Sequence, residues 1–195
     1  MNSPALLLFL EFEGVLILNG SAKRVQLEDA IRFIASGEAK WRDYQDLWDQ
    51  LFEPEPVKQL KLLHDQFEPL YCLTSDWTAL MDRSAMLNVL RLSGVGFVAS
   101  HLHARWDAGS SPADSHKPRA IESWLGINPD HKHLWAALDS EHSDVERDNL
   151  PTTDAEFTVR CCRDVGLTSF ETARLQAAFL LRLQTSKLAH PGVPE

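Results

Sequence analysis

The chain has 195 residues, 44% of them hydrophobic, and a formal net charge of −9. A chain of this length and composition can bury roughly 70% of its unfolded surface within one domain. The acidic balance opposes unassisted binding to nucleic acid, because such binding depends largely on Lys and Arg that neutralise phosphates. We expect a single domain over residues 1–190 and a frayed tail over residues 191–195.

The first apolar run argues against a secreted or membrane protein, and the cysteines argue against a fold held by disulfides or zinc. The run Leu6–Leu10 has no basic leader and is shorter than the roughly 20 residues that cross a bilayer, so it predicts neither a signal peptide nor a membrane helix. The three cysteines include no C-x-x-C pair, which argues against a disulfide framework and a zinc ribbon. We therefore expect a cytoplasmic protein whose cysteines are reduced core thiols.

The first predicted element is a buried strand that ends in acidic residues. A short apolar run bounded by a glycine is typical of a parallel sheet that is covered on both faces. Glu11 and Glu13 follow this run, and we expect both to point into the crevice at the carboxyl edge of the sheet, where ligands bind in open α/β folds. Two carboxylates this close repel each other unless a cation intervenes, and Mg²⁺ suits them. The alternative is a solvated strand end.

The segment after this strand is rich in charged and aromatic residues. Apolar side chains recur at helical spacing in its later part, and we predict a small helical insert over residues 21–52. The group Trp41, Arg42, Tyr44 and Trp48 belongs either to the core or to a lid over the crevice.

A second predicted strand ends in hydroxyl groups. Pro54 suits a helix start, and an amphipathic stripe follows it. The strand Leu70–Leu73 comes next and leads into Thr74, Ser75 and Asp76. Ser75 fits either a helix N-cap or a contact to a phosphate group, and Thr74 is the alternative hydroxyl for that contact.

The second half of the chain continues the alternation of helices and strands. Apolar residues over 80–92 predict a helix, residues 97–106 have weak strand character, and a helix follows Lys117. The strand over residues 133–138 ends in Asp139, with Glu141 and Asp144 just beyond.

One more strand and a closing helix complete the pattern. We predict the strand over residues 157–162, and Thr168 with Glu171 forms a capping box that opens the last helix. Strands that alternate with helices predict an α/β fold, with a doubly wound, mostly parallel sheet covered on both faces.

The polar residues at the strand ends match the needs of phosphoryl transfer. One carboxylate can attack phosphorus, a second carboxyl can protonate the leaving oxygen, a hydroxyl and an ammonium can hold the phosphoryl oxygens, and further acids can complete a Mg²⁺ site. The chain offers candidates for these roles in order: Glu11 with Glu13, Thr74 with Ser75, Lys117, and Asp139 with Asp144.

Other interpretations of these residues remain open. Lys117 is also compatible with an ordinary surface lysine, and Arg119 could take its place at the crevice. The pairs His101 with His103 and His131 with His133 could each place two imidazoles on one side of a strand, as some metal sites do.

These motifs resemble the haloacid dehalogenase-like (HAD) hydrolase superfamily, whose first motif is Asp-x-Asp-Gly-[Val/Thr]-Leu after an apolar strand. The resemblance covers most of the chain. It places residues 11–16 in motif one, residues 73–75 in motif two, Lys117 in motif three, and Asp139 with Asp144 in motif four. Three further runs resemble the capless HAD domain of Swiss-army-knife RNA-repair proteins: Ser75-Asp76-Trp77, residues 119–125 and Gly166-Leu167-Thr168.

This resemblance implies a Rossmannoid HAD fold with Mg²⁺ as cofactor, but motif one departs from the family pattern. Glutamate replaces both of its aspartates, at Glu11 and Glu13. The extra methylene moves each carboxylate by roughly 1 Å, and a misplacement of that size can cost on the order of 100-fold in rate. Ser140 stands where family members often place a second aspartate. The resemblance therefore implies Mg²⁺ binding more directly than turnover.

Three functions follow from these observations. The first is a Mg²⁺-dependent phosphomonoester phosphatase, with Glu11 as nucleophile and Glu13 as general acid and base, acting on a small phosphorylated molecule. The second is a catalytically inactive binding or regulatory module that keeps the crevice. The third is a nucleic-acid end-processing component, for which a partner subunit would have to supply the positive surface.

Overall fold

The fold is a parallel sheet flanked by helices. The computed structural model describes residues 5–18, 20–108, 117–141 and 155–189. Its strands are β1 (Leu7–Leu10), β2 (Leu70–Leu73), β3 (Leu102–Asp107), β4 (Trp135–Ser140) and β5 (Thr158–Cys161). All pair in parallel, in the order β3-β2-β1-β4-β5. The predicted α/β class with a parallel sheet is confirmed.

The helices lie between the strands in sequence. They are α1 (Gly20–Ala35), α2 (Gln45–Asp49), α3 (Pro54–Phe67), α4 (Arg83–Leu92), α5 (Gly96–Ser100), α6 (Lys117–Ile127) and α7 (Ser169–Ala189). Short 3-10 helices occupy Trp41–Tyr44, Asp76–Ala79, Pro129–His131 and Ala155–Phe157. Among the helices that the structure describes, none has the length and apolar character needed to span a membrane.

The core is centred on β1. All four residues of this strand are fully buried, as expected for the middle strand of a sheet that is covered on both faces. Helix α7 packs on β4 and β5 and against α3. Its start follows the predicted capping box, in which Glu171 accepts a hydrogen bond from the Thr168 N–H at 3.1 Å. The Thr168 hydroxyl in turn accepts one from the Phe170 N–H.

The predicted strand over residues 97–106 is wrong in its first half. This stretch divides into α5 and then β3. Val98 and Ala99 of α5 are buried, and α5 packs against α4. Strand β3 lies at the edge of the sheet, and most of its residues are partly or fully exposed, which explains its weak apolar signal.

Residues 21–52 form α1, a 3-10 helix and α2. Trp48 of α2 is fully buried, and its indole N–H donates to the Trp41 carbonyl at 2.7 Å. Lys23 of α1 forms an ion pair of 2.7 Å with Glu53, which ties α1 to the start of α3. The segment is helical, and its role as an insert stays a prediction.

The cysteines are only partly as expected. All three are free thiols. Cys72 and Cys161 are buried, as predicted for core thiols, but Cys162 is exposed. Burial raises the pKa of both buried thiols well above the usual range.

Candidate active site

The candidate site lies where three adjacent strands end. Leu10 of β1 is in register with Leu73 of β2 and with Leu138 of β4. The next residues are Glu11, Thr74 and Asp139, so these three lie side by side on strands about 4.8 Å apart. The Thr74 N–H donates to the Leu10 carbonyl, and the Glu11 N–H donates to the Leu138 carbonyl, both at 3.0 Å. The backbone of the sheet therefore fixes Glu11 between Thr74 and Asp139.

Glu11 is buried, with 2% of its surface exposed. Its Oε1 accepts hydrogen bonds from the Phe12 N–H at 2.8 Å and from the Glu13 N–H at 3.1 Å. Because β1 ends at Leu10, the alternation of a strand does not govern where the two glutamates point. The carboxylate of Glu11 is instead turned onto the amides of its own loop.

Glu13 has different partners. Its Oε1 accepts a hydrogen bond from the Trp77 indole N–H at 3.2 Å, and Arg24 Nη1 lies 3.7 Å from the same oxygen. Trp77 is fully buried on the 3-10 helix that follows β2. Arg24 comes from α1. The two acids of motif one are therefore held by two separate sets of donors.

Arg24 contacts three carboxylates. Its Nε donates to Glu28 at 3.0 Å, and its Nη1 lies 3.8 Å from Asp76 as well as close to Glu13. The hydrogen bond to Glu28 raises the pKa of Arg24 above its usual value, and the negative charges of Glu13, Glu28 and Asp76 act in the same direction, although burial opposes them. Arg24 is a permanent positive charge close to Glu13.

The loop that carries Glu13 is held tightly. The Phe12 carbonyl accepts hydrogen bonds from the N–H groups of Val15, Leu16 and Ile17. Gly14 has a positive φ of 73°, and a Cβ placed on it would lie 2.6 Å from the Ser140 Cβ and 2.9 Å from Arg163 Cγ. Only glycine fits here, and the close approach joins motif one to the end of β4.

The two predicted hydroxyl groups are both buried, Thr74 with 4% exposure and Ser75 with none. Ser75 caps the 3-10 helix, because its Oγ accepts from the Trp77 N–H at 3.4 Å. This contact supports the interpretation of Ser75 as a helix cap. Thr74 lies beside Glu11 on the adjacent strand end, and its role as the phosphate-binding hydroxyl stays a prediction.

The remaining predicted residues are described in part. Asp139 is half-buried at the end of β4, and its Oδ1 accepts from the Ser140 N–H at 2.8 Å. Lys117 is the first residue of α6, but its side chain and that of Arg119 lie outside the described part of the chain. Asp144 lies outside it as well.

Mg²⁺ fits the donors that the sheet provides. Mg²⁺ is usually held by one or two carboxylates and keeps several waters, and Glu11 and Asp139 supply two carboxylates on neighbouring strand ends. Within the described ranges, no group of three or more His, Cys, Asp or Glu residues is arranged to hold a metal ion. Mg²⁺ binding by Glu11 and Asp139 therefore stays a prediction.

The histidines pair differently from the sequence expectation. His64 lies next to His101, with ring centroids 4.6 Å apart, and His103 lies next to His131 at 5.1 Å. His101 precedes β3, and His131 precedes β4. The alternative in which each pair lies on one strand is wrong, because His101, His131 and His133 lie outside the strands.

An apolar groove of about 380 Å³ lies between α1 and the start of α4. Its apolar lining consists of Ile31, Ile34, Ala35, Trp41, Leu80, Met81 and Ala85. Trp41, one of the residues considered for a lid, therefore contributes to a groove beside α4, whereas its neighbour Trp48 is part of the core.

Comparison with known proteins identifies a family. A family model described as "HAD domain in Swiss Army Knife RNA repair proteins" matches residues 7–171. This range spans the sheet from β1 to β5 and includes Glu11, Thr74 and Asp139. No curated protein and no solved structure shows a significant match.

Proposed function

The chain belongs to the family of HAD domains in Swiss Army Knife RNA repair proteins, and we propose that it hydrolyses phosphomonoesters with the help of Mg²⁺. Membership makes it a HAD-like hydrolase superfamily member. The observation that carries the proposal is the placement of Glu11 between Thr74 and Asp139 on adjacent strand ends. This placement supports a site in which Glu11 is the nucleophile, Thr74 is the phosphate-binding hydroxyl and Asp139 is a ligand of the cation.

The proposed reaction has two steps. Glu11 attacks phosphorus, the bond from phosphorus to the leaving oxygen breaks, and Glu13 gives that oxygen a proton. Glu13 then takes a proton from a water that attacks phosphorus, which breaks the acyl phosphate and releases inorganic phosphate with Glu11 restored. Thr74 hydrogen-bonds the phosphoryl oxygens in both steps, with Ser75 as the alternative donor.

The positive charge of the site is assigned to two groups. Lys117 holds the phosphoryl oxygens, as its place in motif three implies. Mg²⁺, when bound by Glu11 and Asp139, supplies charge neutralisation at the phosphoryl group. Asp144 and Glu13 are the other two carboxylates that the sequence predicts as ligands of Mg²⁺.

A second candidate function has an observation in its favour. The Glu11 carboxylate is turned onto the amides of Phe12 and Glu13, and in-line attack needs a nucleophile about 3 to 3.5 Å from phosphorus. A module that binds Mg²⁺ and phosphate without turnover fits that orientation. The replacement of both motif-one aspartates by glutamate favours the same alternative.

The first experiment measures Mg²⁺-dependent phosphate release from 4-nitrophenyl phosphate. We expect activity in the wild type, loss of it in Glu11→Gln, and equal or higher activity in the double variant Glu11→Asp, Glu13→Asp. Glu38→Gln, which changes an exposed carboxylate, is the matched control and should behave like the wild type. Activity in the double variant alone would favour the binding module, and no activity in either would overturn the phosphatase proposal.

The substrate proposed here is a small phosphorylated molecule. The family description refers to RNA repair, but the net charge of −9 opposes unassisted contact with a polyanion. We propose a cytoplasmic location and no membrane partner. Binding of a 5′-phosphorylated oligonucleotide that weakens steeply with salt would instead support the end-processing alternative.

A further inference from the structure

Two imidazole rings lie close together near the amino ends of the strands. His64 belongs to the last turn of α3, and His101 directly precedes β3. Their ring centroids are 4.6 Å apart. The candidate active site, in contrast, lies where the strands end at Glu11 and Asp139. The two histidines therefore form a separate group at the opposite edge of the sheet.

The hydrogen bonds of His101 determine which of its nitrogens carries the proton. Its Nδ1 lies 3.3 Å from the Phe97 carbonyl and 3.1 Å from the Ser100 hydroxyl. A carbonyl only accepts, and the Ser100 hydroxyl itself donates to the same carbonyl at 2.9 Å. The proton of His101 therefore lies on Nδ1, which leaves a lone pair on Nε2. A backbone carbonyl on Nδ1 is a common partner of histidines that bind a metal ion through Nε2.

His64 is oriented in a similar way. It is buried, and its Nδ1 lies 3.2 Å from the hydroxyl of Tyr71, which is fully buried as well. This hydroxyl can accept a hydrogen bond from Nδ1, and the Nε2 lone pair of His64 is then available too. Among the described residues, none forms a hydrogen bond with Nε2 of either ring.

The spacing of the two rings suits a shared metal ion. An ion about 2.0–2.1 Å from each Nε2 lies roughly 3.2 Å from each ring centroid. Two imidazoles that meet at this ion at about 90 to 110° then have centroids roughly 4.5 to 5.2 Å apart. The observed distance of 4.6 Å lies within that range. Imidazole suits Zn²⁺, Cu²⁺ and Ni²⁺, whereas Mg²⁺ prefers oxygen ligands.

The other histidine pair lacks one of these properties. His103 and His131 have ring centroids 5.1 Å apart, which is also a suitable distance. Nδ1 of His103, however, accepts a hydrogen bond from the Arg105 N–H at 3.0 Å, the shorter of its two contacts to that residue. The proton of His103 therefore lies on Nε2, which then has no lone pair for a metal ion. Orientation, rather than distance, distinguishes the two pairs.

We propose that His64 and His101 bind one divalent transition metal ion through their Nε2 atoms. Within the described ranges, no third His, Cys, Asp or Glu is placed to complete the site, so water molecules fill the remaining positions. The ion belongs to the class that imidazole prefers, for which Zn²⁺ is the probe. This site is distinct from the proposed active site and does not depend on phosphatase activity.

A bound ion joins two elements that the chain connects only through β2 and two helices. His64 lies on α3, and His101 lies between α5 and β3. Strand β3 is at the edge of the sheet and pairs with β2 alone. A metal ion that binds the folded chain stabilises it by mass action. We therefore expect the ion to stabilise the attachment of this edge to α3.

The experiment is a calorimetric titration of the full chain with ZnCl₂ in excess Mg²⁺, which competes for carboxylate sites but not for imidazole. We expect one Zn²⁺ whose affinity falls at least about tenfold in His64→Gln and in His101→Gln. Zn²⁺ should also raise the urea midpoint of unfolding in the wild type but in neither variant. His101 is only half-buried, so His101→Gln decides the test if His64→Gln does not fold.

Two control variants remove other groups that bind Zn²⁺. His103→Gln takes away an imidazole whose Nδ1 is already occupied. Cys162→Ser takes away the exposed thiol, which is a good ligand for Zn²⁺ as a thiolate. Both variants should keep the Zn²⁺ affinity of the wild type within about twofold, because neither group contributes to the proposed site.

Equal Zn²⁺ affinity in the wild type and in His101→Gln would overturn the inference. Loss of the Zn²⁺ site in His103→Gln or in Cys162→Ser would overturn it too, because the ion would then be bound elsewhere. Absence of Zn²⁺ binding by the wild type has the same consequence. Phosphate release is not a readout of this experiment, so failure of the phosphatase proposal leaves its result unchanged.

Discussion

Gly14 and Ser140 approach so closely that a Cβ on the glycine would lie 2.6 Å from the Cβ of the serine. Gly14 belongs to the loop after β1, and Ser140 is the last residue of β4. Asp139 immediately precedes Ser140, and Glu13 immediately precedes Gly14. Contact between the glycine and the serine therefore sets how close the loop of motif one lies to Asp139.

Gly14→Ala is expected to destabilise the protein by about 2 to 4 kcal/mol. Alanine at a positive φ costs roughly 1 kcal/mol, and the overlap with Ser140 adds about 1 to 3 kcal/mol. Gly37 also has a positive φ, of 78°, but a Cβ there meets no atom within 4 Å. Gly37→Ala should therefore cost only about 1 kcal/mol. Urea unfolding of both variants tests this, and equal losses would contradict the packing argument.

We expect Thr74→Val to lower activity and Ser75→Ala to lower stability. Valine keeps the shape of Thr74 but loses the hydroxyl beside Glu11, so kcat/KM for 4-nitrophenyl phosphate should fall about tenfold or more. Ser75→Ala removes the N-cap contact to Trp77 and should cost about 0.5 to 2 kcal/mol of stability. Steady-state kinetics and urea unfolding of both variants are the measurements. Loss of activity in Ser75→Ala alone would assign the phosphate contact to Ser75.

The stability of the protein is expected to decrease as pH falls from about 7.5 to 5.5. Burial lowers the pKa of His64, and the positive charges of His101 and Lys61 act in the same direction, against Asp65 and Glu68. The unfolded chain takes up its proton near pH 6.5, whereas folded His64 does so only at lower pH. The free energy of unfolding therefore falls through this window.

A histidine variant tests this dependence. Urea unfolding at pH 5.5, 6.5 and 7.5 should show a shallower dependence in His64→Gln than in the wild type. His131 also has a lowered pKa because of burial and the nearby His103, so part of the dependence should remain. His133 is exposed, and His133→Gln should keep the full dependence. An unchanged slope in His64→Gln would contradict the assignment.

Thiol labelling is expected to distinguish the three cysteines. Cys162 is exposed, whereas Cys72 and Cys161 are buried and have raised pKa values. Thiolates are the reactive species, so an aromatic disulfide reagent should modify Cys162 quickly and the other two only after unfolding. Cys162→Ser should abolish the fast reaction. Rapid labelling of more than one thiol in the native protein would be inconsistent with the packing of β2 and β5.

Much of the sheet could be predicted because its central strands are buried on both faces. For that reason the sequence shows two short apolar runs, at Leu7–Leu10 and Leu70–Leu73. The edge strand β3 could not be predicted so clearly, since most of its residues are partly or fully exposed. The preceding helix α5 has only five residues, which is too short to show a helical period. Strand order then follows from the fold family and brings Glu11, Thr74 and Asp139 together.

The donors around Glu13 could not be predicted in the same way. Arg24 and Glu28 are four residues apart on α1, a spacing typical of an ordinary surface pair. Only the packing of α1 against the rest of the chain shows that Arg24 also reaches Glu13. Trp77 lies in a run that carries the family resemblance, but the direction of its indole N–H depends on the turn after β2.

Because Arg24 lies on α1, the position of Glu11 and the charge next to Glu13 depend on different parts of the fold. The sheet alone determines the position of Glu11, whereas a helix outside the sheet supplies the charge that faces Glu13. Substitutions on one face of α1 can therefore change the charge next to Glu13 while β1, β2 and β4 stay unchanged. Natural variation in α1 can in this way alter the surroundings of Glu13 without rebuilding the strands that position Glu11.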